Sequence, residues 1–218
     1  MLLHEHLENG ADKNPNFPFS EFEGNSLSYQ EANLLSNQLA NKLVSEGLEV
    51  GDRFAFLAKN CTEMAIMYYA ASKVGAVPVP LNYRLADQEW AYIINDSEAK
   101  LIIVKGNEYS DRINQISSEL KNVKKYISIS LDNSIEKFQD FYDWLSDSSN
   151  EKPTLKIHEN DDVYQMYTSG TTGHPKGAVL LQRNVAANIR QYLNSLTLPR
   201  PSRTLLVAPM YHAAAMIN

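Results

Sequence analysis

Glycines, hydroxyl side chains and one lysine are concentrated between Tyr167 and Gly177, where the sequence reads Tyr-Thr-Ser-Gly-Thr-Thr-Gly-His-Pro-Lys-Gly. Glycines allow backbone N–H groups to approach an oxyanion closely, hydroxyl groups add uncharged donors, and a lysine adds a mobile positive charge. The spacing differs from a Walker A loop, because Pro175 precedes Lys176 and Gly177 follows it. The segment therefore predicts a phosphate-binding loop of another kind, and an ordinary surface loop is the alternative.

Histidine and cysteine residues offer few further candidates. His212 stands beside an apolar run, where a single histidine is usually a hydrogen-bonded packing residue, so spacing alone leaves its role open. His4 and His6 would point apart on a helix and have no further ligands nearby, so we predict no metal site there. Cys61 is the sole cysteine, which excludes an internal disulfide, and its helix-like context predicts a buried apolar role.

The order of residues in the glycine-rich segment resembles the signature of the adenylate-forming superfamily. That family contains acyl-CoA synthetases, adenylation domains of peptide synthetases, and luciferases, and its loop holds the β- and γ-phosphates of ATP while a carboxylate attacks the α-phosphorus. The residues that the resemblance implies as phosphate contacts are Thr168, Ser169, Gly170, Thr171, Thr172, Gly173 and Lys176.

Two further segments resemble the same family. It carries a Pro-aromatic-His element after the loop, which implies that His212 borders the site of the acyl carboxylate and, with Lys176, is a catalytic candidate. The run from Gly75 to Leu85 resembles acyl-CoA synthetases, in which Pro-Leu-Asn-x-Arg-Leu follows a Gly-Ala strand entry, whereas peptide-synthetase adenylation domains tend to have Asp-Pro-x-Tyr-Pro there. One departure is Gln182, which stands where the family often has a histidine, so an acid–base or phosphate role at this position is in doubt.

The resemblance implies the N-terminal part of an AMP-forming acyl-CoA synthetase. A carboxylic acid, here expected to be a fatty acid, would react with ATP to give acyl-AMP and then a thioester with CoA, with Mg²⁺ offsetting the phosphate charge. In the family, the contacts to adenine, ribose and magnesium come later in the sequence, so residues 1–218 alone are predicted not to catalyse the exchange of pyrophosphate into ATP. The alternatives are a non-catalytic module that binds a nucleotide or a partner, and a peptide-synthetase adenylation domain.

Strand-like and helix-like patterns alternate along the chain. Such alternation predicts an α/β fold of mostly parallel sheets flanked by helices, which the resemblance identifies as part of the large N-terminal domain of the acyl-adenylate-forming fold. The predicted strands are Arg53–Ala58, Val77–Leu81, Leu101–Val104, Tyr126–Ile129, Val163–Tyr167 and Arg203–Ala208. A capping box at Ser28–Glu31 predicts a helix that ends at Gly47, and Asn60 and Glu63 are predicted to cap a helix that runs to about Val74. The further predicted helices are Asp87–Asn95, Tyr109–Leu120, Ile135–Leu145, Asn184–Leu196 and one that begins at Tyr211.

We predict three regions: an N-terminal α/β region over 1–145, an exposed polar connection over 146–162, and a phosphate-loop region over 163–218. The last residues begin an apolar helix without a capping residue, so we expect the fold to continue beyond Asn218.

A net charge of −6 argues against a general nucleic-acid binder. The start lacks a secretory pattern and Ala65–Leu81 is too interrupted to span a bilayer, so we expect a cytoplasmic protein.

Overall fold

The computed structural model describes residues 1–130, 135–168, 174–195 and 202–216. The helices and strands of these residues, labelled in chain order, are α1 (Leu3–Lys13), β1 (Pro18–Phe22), β2 (Asn25–Ser28), α2 (Tyr29–Ser45), β3 (Arg53–Leu57), α3 (Thr62–Val74), β4 (Val77–Leu81), α4 (Asp87–Asp96), β5 (Leu101–Lys105), α5 (Asn107–Ile116), β6 (Lys125–Ile129), β7 (Phe138–Asp140), α6 (Phe141–Leu145), β8 (Asp162–Thr168), β9 (Lys176–Leu181), α7 (Gln182–Ser195) and α8 (Ala213–Met216).

A parallel sheet with the strand order β4-β3-β5-β6-β7 forms the centre of the described structure. Alternate residues of β3 face opposite sides: Phe54 and Phe56 pack with α1, α2 and α3, whereas Ala55 and Leu57 pack with α4 and α5. Because both faces are covered by helices, the strands are continuous apolar runs, as parallel sheets require. The α/β fold predicted from the alternating pattern is therefore confirmed.

Most of the predicted elements between residues 28 and 129 are present. The capping box that opens α2 is formed as expected, with the Glu31 N–H donating to the Ser28 hydroxyl at 3.2 Å and the Ser28 N–H donating to the Glu31 carboxylate at 2.8 Å. Strands β3, β4, β5 and β6 and helices α3 and α4 agree with the predictions within two residues.

Several predictions were wrong. The helix expected over Ile135–Leu145 is a short strand, β7, followed by the five-residue helix α6. The strand expected over Arg203–Ala208 is absent, because residues 202–207 are irregular and exposed and pair with no other strand in the described part of the chain. Helix α1, the β1–β2 hairpin and strand β9 were not predicted.

The glycine-rich segment connects two antiparallel strands. Strands β8 and β9 form a hairpin in which Thr168 is opposite Lys176 and Tyr167 is opposite Gly177. This pair is an exception to the mostly parallel arrangement that the sequence predicted. After β9, helix α7 begins two residues earlier than expected, and Asn184 lies in its first turn, where it accepts a hydrogen bond from the Leu181 N–H at 3.0 Å.

The polar segment before β8 has no helix or strand over residues 146–161 and is mostly exposed. Two asparagines of α2 hold its backbone: Asn37 donates to the Asn150 carbonyl, and Asn41 donates to the carbonyls of Ser149 and Glu151, at 2.8 to 3.0 Å. The connection is thus fastened to the first region, while the division into three regions stays a prediction.

Candidate functional site

A cavity of about 390 Å³ lies between the carboxyl end of β4, helix α4, the β8–β9 hairpin and the segment just before α8. It is mostly apolar, with a few polar groups at its edge, which is the usual character of a small-molecule site. The residues that matter for its chemistry are Asn82, Ile93, Thr168, Pro175, Tyr211 and His212.

Two of the residues predicted from the sequence meet at this cavity. Thr168, at the start of the glycine-rich loop, and His212 both line it, although 44 positions separate them along the chain. Lys176 is the first residue of β9, is exposed, and stands opposite Thr168 across the hairpin. The predicted phosphate contacts Ser169, Gly170, Thr171, Thr172 and Gly173 lie outside the described residues.

The segment that carries His212 is held by residues that the sequence analysis did not assign to the site. Asn60 donates to the Ala208 carbonyl at 2.9 Å and accepts from the Met210 N–H at 2.8 Å. The Tyr68 hydroxyl donates to the Met210 carbonyl at 3.1 Å. Asn60 was predicted to cap α3, but the cap position is Cys61 and makes no side-chain bond. The loop after β3 and helix α3 therefore hold the turn that presents His212.

The last glycine of the segment lies close to two side chains of the opposite strand. A Cβ atom on Gly177 would lie 2.7 Å from Gln165 Nε2 and 3.0 Å from Tyr167 Cζ. The Tyr167 ring uses this space to reach α4, where its hydroxyl donates to the Asp96 carboxylate at 2.6 Å. Burial and the neighbouring Asp96 carboxylate raise the pKa of Tyr167, so its hydroxyl remains a donor.

Gln182 lies in the interior, away from the cavity. It is fully buried; its amide oxygen accepts from the Leu3 N–H at 3.2 Å, and its amide nitrogen donates to the Ser72 hydroxyl at 2.9 Å. The Ser72 hydroxyl also bonds the His4 ring at 2.9 Å, and burial lowers the pKa of His4. Gln182 therefore joins α7 to α1 and α3, which gives the departure from the family pattern a packing role.

The remaining candidates from the sequence are the cysteine and a possible metal site. Cys61 is buried, and burial together with Glu63 raises the pKa of its thiol to about 12, so it is protonated at neutral pH and a poor nucleophile. Within the described ranges, no group of three or more His, Cys, Asp or Glu residues is placed to hold a metal ion. The helices of the same ranges are all too short or too polar to cross a bilayer.

Comparison with known proteins gives consistent matches. A family model described as "AMP-binding enzyme" matches residues 7–218. The chain is 33% identical over 192 residues to the long-chain-fatty-acid–CoA ligase FadD13 of Mycobacterium tuberculosis strain H37Rv, covering 87% of this chain and 36% of that protein. It is 31% identical over 193 residues to feruloyl-CoA synthase of Amycolatopsis sp, covering 88% and 36%.

Solved structures agree with these sequence matches. The inhibitor-bound N-terminal domain of FACL13 from Mycobacterium tuberculosis superposes with a TM-score of 0.87 at 29% identity, covering 99% of this chain and 53% of that structure. The chain thus spans about a third of the length of the two curated relatives and about half of the solved domain.

Proposed function

Because the chain belongs to the AMP-binding enzyme family, we propose that it supplies the phosphate-binding loop and one wall of the acid-activating site of an AMP-forming acyl-CoA ligase. In this reaction a carboxylate oxygen bonds to the α-phosphorus of ATP and pyrophosphate leaves. The CoA thiol then bonds to the acyl carbon, loses its proton, and AMP leaves. The observation that carries the proposal is the cavity shared by Thr168, where the loop begins, and His212.

The loop is proposed to hold the departing phosphates. The loop joins β8 to β9, and its donors would be loop N–H groups and hydroxyls. Thr168 and the predicted contacts from Ser169 to Gly173 would supply these donors. Lys176, exposed at the end of the loop, would screen the negative charge that develops on pyrophosphate.

Mg²⁺ is proposed to arrive with the nucleotide. Mg²⁺ commonly keeps several waters while binding phosphate oxygens, and the resemblance places the protein's own contacts with the ion later in the sequence. When bound, it would offset phosphate charge. His212 would border the carboxylate of the acid, because its exposed side chain lies at the rim of the cavity.

The acid is proposed to be a fatty acid, and CoA the acceptor. One of the relatives described above is named as a ligase of long-chain fatty acids and CoA, and the other as a synthase of feruloyl-CoA. These matches favour a CoA ligase over the two alternatives, a peptide-synthetase adenylation domain and a non-catalytic binding module. A cytoplasmic location and the three-region organisation are further parts of the proposal.

Carboxylate-dependent exchange of labelled pyrophosphate into ATP tests the proposal in the polypeptide that carries this chain. We expect exchange with fatty acids, and expect none from residues 1–218 alone, since they span only about a third of the curated relatives' length. Exchange that needs an amino acid in place of a fatty acid, or robust exchange by residues 1–218, would contradict these expectations.

Separate assays of the two half-reactions test the roles in the loop. Lys176→Ala and Thr172→Ala should slow formation of acyl-AMP by about 10- to 100-fold, because each removes a donor from the departing phosphates. Thioester formation from supplied acyl-AMP should change much less. Lys124→Ala, which removes an exposed lysine remote from the cavity, is the matched control. Equal losses in both half-reactions would mean that Lys176 and Thr172 maintain the fold and do not contact the phosphates.

A further inference from the structure

The residues that leave the glycine-rich loop rest on helix α4. The His174 ring stacks on the Tyr92 ring, with 4.6 Å between the ring centroids and 18° between the planes. The Tyr92 hydroxyl lies 3.4 Å from the Pro175 carbonyl and 3.5 Å from the Asp96 carboxylate, so its single hydrogen can serve either acceptor. The exit from the loop is thus in contact with a fixed helix.

The strand that enters the loop is bound to the same face of α4. Tyr167, the residue before Thr168, donates its hydroxyl to the second carboxylate oxygen of Asp96 at 2.6 Å. Tyr92 and Asp96 are four residues apart, which places them on one face of the helix. One helical turn therefore contacts both ends of the loop.

Helix α4 is itself anchored firmly enough to act as a support. Trp90 is fully buried and its indole N–H donates to the Asn82 carbonyl at 2.8 Å. Arg112 of α5 lies 3.9 Å from the centre of the Trp90 ring and pairs with Asp87 at 2.6 Å. By contrast, Tyr92 is only half-buried at the edge of the core and Asp96 is exposed, so replacing either should disturb the packing of α4 less than replacing Trp90.

We propose that Tyr92 and Asp96 are positioning residues, which hold both ends of the glycine-rich loop against α4 and thereby set its affinity for the phosphates of ATP. A loop whose ends are already held loses less conformational freedom when a ligand binds, and this raises the affinity without any new ligand contact. The part of this inference that concerns ATP rests on the proposed function, whereas the contacts with α4 do not.

The test compares Tyr92→Leu, which removes the stacked ring, with Tyr92→Phe, which keeps it. In Tyr92→Leu we expect the ring-proton NMR signals of His174 to move downfield, because they lose the ring current of the tyrosine. Trypsin should cut after Lys176 several-fold faster relative to Lys156, an exposed site in the connection before β8. The KM for ATP should rise about fivefold with kcat nearly unchanged, since held loop ends favour ground state and transition state alike.

Tyr92→Phe should behave like the wild type in all three measurements, and Asp96→Ala should show the faster cleavage and the higher KM. Tyr126→Leu, which removes a half-buried ring near the far edge of the sheet, controls for general loss of stability. If Tyr92→Leu leaves the His174 signals and the cleavage ratio unchanged, or lowers kcat with no change in KM, the inference is wrong. If the wild-type polypeptide that carries this chain, in which the KM is measured, shows no carboxylate-dependent exchange, the proposed function fails, and the NMR and cleavage results still decide whether α4 holds the loop.

Discussion

At the scale of single residues, the glycine-rich segment combines ligand chemistry with packing. Its hydroxyls and lysine suit phosphate binding, but Gly177 is glycine because the Tyr167 ring and the Gln165 amide occupy the space beside its Cα. The sequence pattern predicts a phosphate-binding loop here and could not separate these two causes. A glycine in a signature is explained here by a neighbour on the opposite strand.

Replacing Gly177 by alanine should destabilise the fold by about 1–3 kcal/mol, because the added methyl group forces the Gln165 amide and the Tyr167 ring to move. The free energy of unfolding in urea measures this cost. In a Tyr167→Leu background the cost should fall, since the ring is gone. An equal cost in both backgrounds would show that the ring is not the obstacle.

Gln182→Leu should cost about 1–3 kcal/mol of stability, because it leaves the buried Leu3 N–H without an acceptor and removes a partner of Ser72. Gln191→Leu on the exposed side of the same helix should change stability by less than about 0.5 kcal/mol. Urea unfolding of the two variants provides the comparison. Similar effects for the two glutamines would contradict the interior role of Gln182.

At the scale of elements, strong periodicity decided what could be predicted. The strands from β3 to β6 are short apolar runs between clear helices, and their positions were predicted correctly. Strand β9 was missed because its first four residues are exposed and lack the alternation of a half-buried strand. The run from Arg203 to Ala208 looks like a strand, but an apolar run alone does not supply the neighbouring strand that its backbone needs.

Helix α1 was also missed, and its attachment involves a buried ammonium group. Lys73 of α3 is almost fully buried and donates to the side-chain oxygens of Asn33 and Asn37. Glu8 of α1 lies 3.9 Å from the Lys73 amine. Burial lowers the pKa of Lys73 to about 8, although Glu8 acts in the opposite direction. Burial of the charged amine therefore offsets part of the free energy gained from the contact between α1 and α3.

Stability should depend on pH through Lys73. Below pH 8 the amine is charged in both states and the folded chain bears the full cost of burying it; above that pH the folded chain releases the proton before the unfolded chain does. Relative to Lys73→Met, the wild type should gain on the order of 3 kcal/mol of unfolding free energy between pH 7.5 and 10.5. Parallel stability curves for the two proteins over this range would contradict the lowered pKa.

At the scale of the whole molecule, the candidate site is assembled from segments that are far apart in the sequence. The motif residues Thr168, Lys176 and His212 could be named from the sequence because each stands in a recognisable order of residues. Asn60 and Asp96 could not, because their roles depend on contacts through space with residues 208–210 and 167. Nothing in their local sequence distinguishes them from ordinary residues at helix ends.

Loss of the Asn60 side chain should loosen the segment that carries His212. In Asn60→Ala we expect the Met210 amide hydrogen to exchange with solvent about tenfold faster, because its acceptor is removed. Amides within β5 should be unaffected, and Asn114→Ala on α5 serves as the matched asparagine control. Unchanged exchange at Met210 would mean that the segment is held by other contacts, such as that of Tyr68.

The hydrogen bonds from Asn37 and Asn41 to the connection before β8 bear on which substitutions the connection can accept. Within the connection, both asparagines bind backbone carbonyl oxygens, at positions 149–151, and every amino acid offers the same carbonyl. These hydrogen bonds therefore depend on the two asparagine side chains and not on which side chains stand at positions 149–151. Substitutions at these positions can therefore change the surface of the connection while its hydrogen bonds to α2 remain.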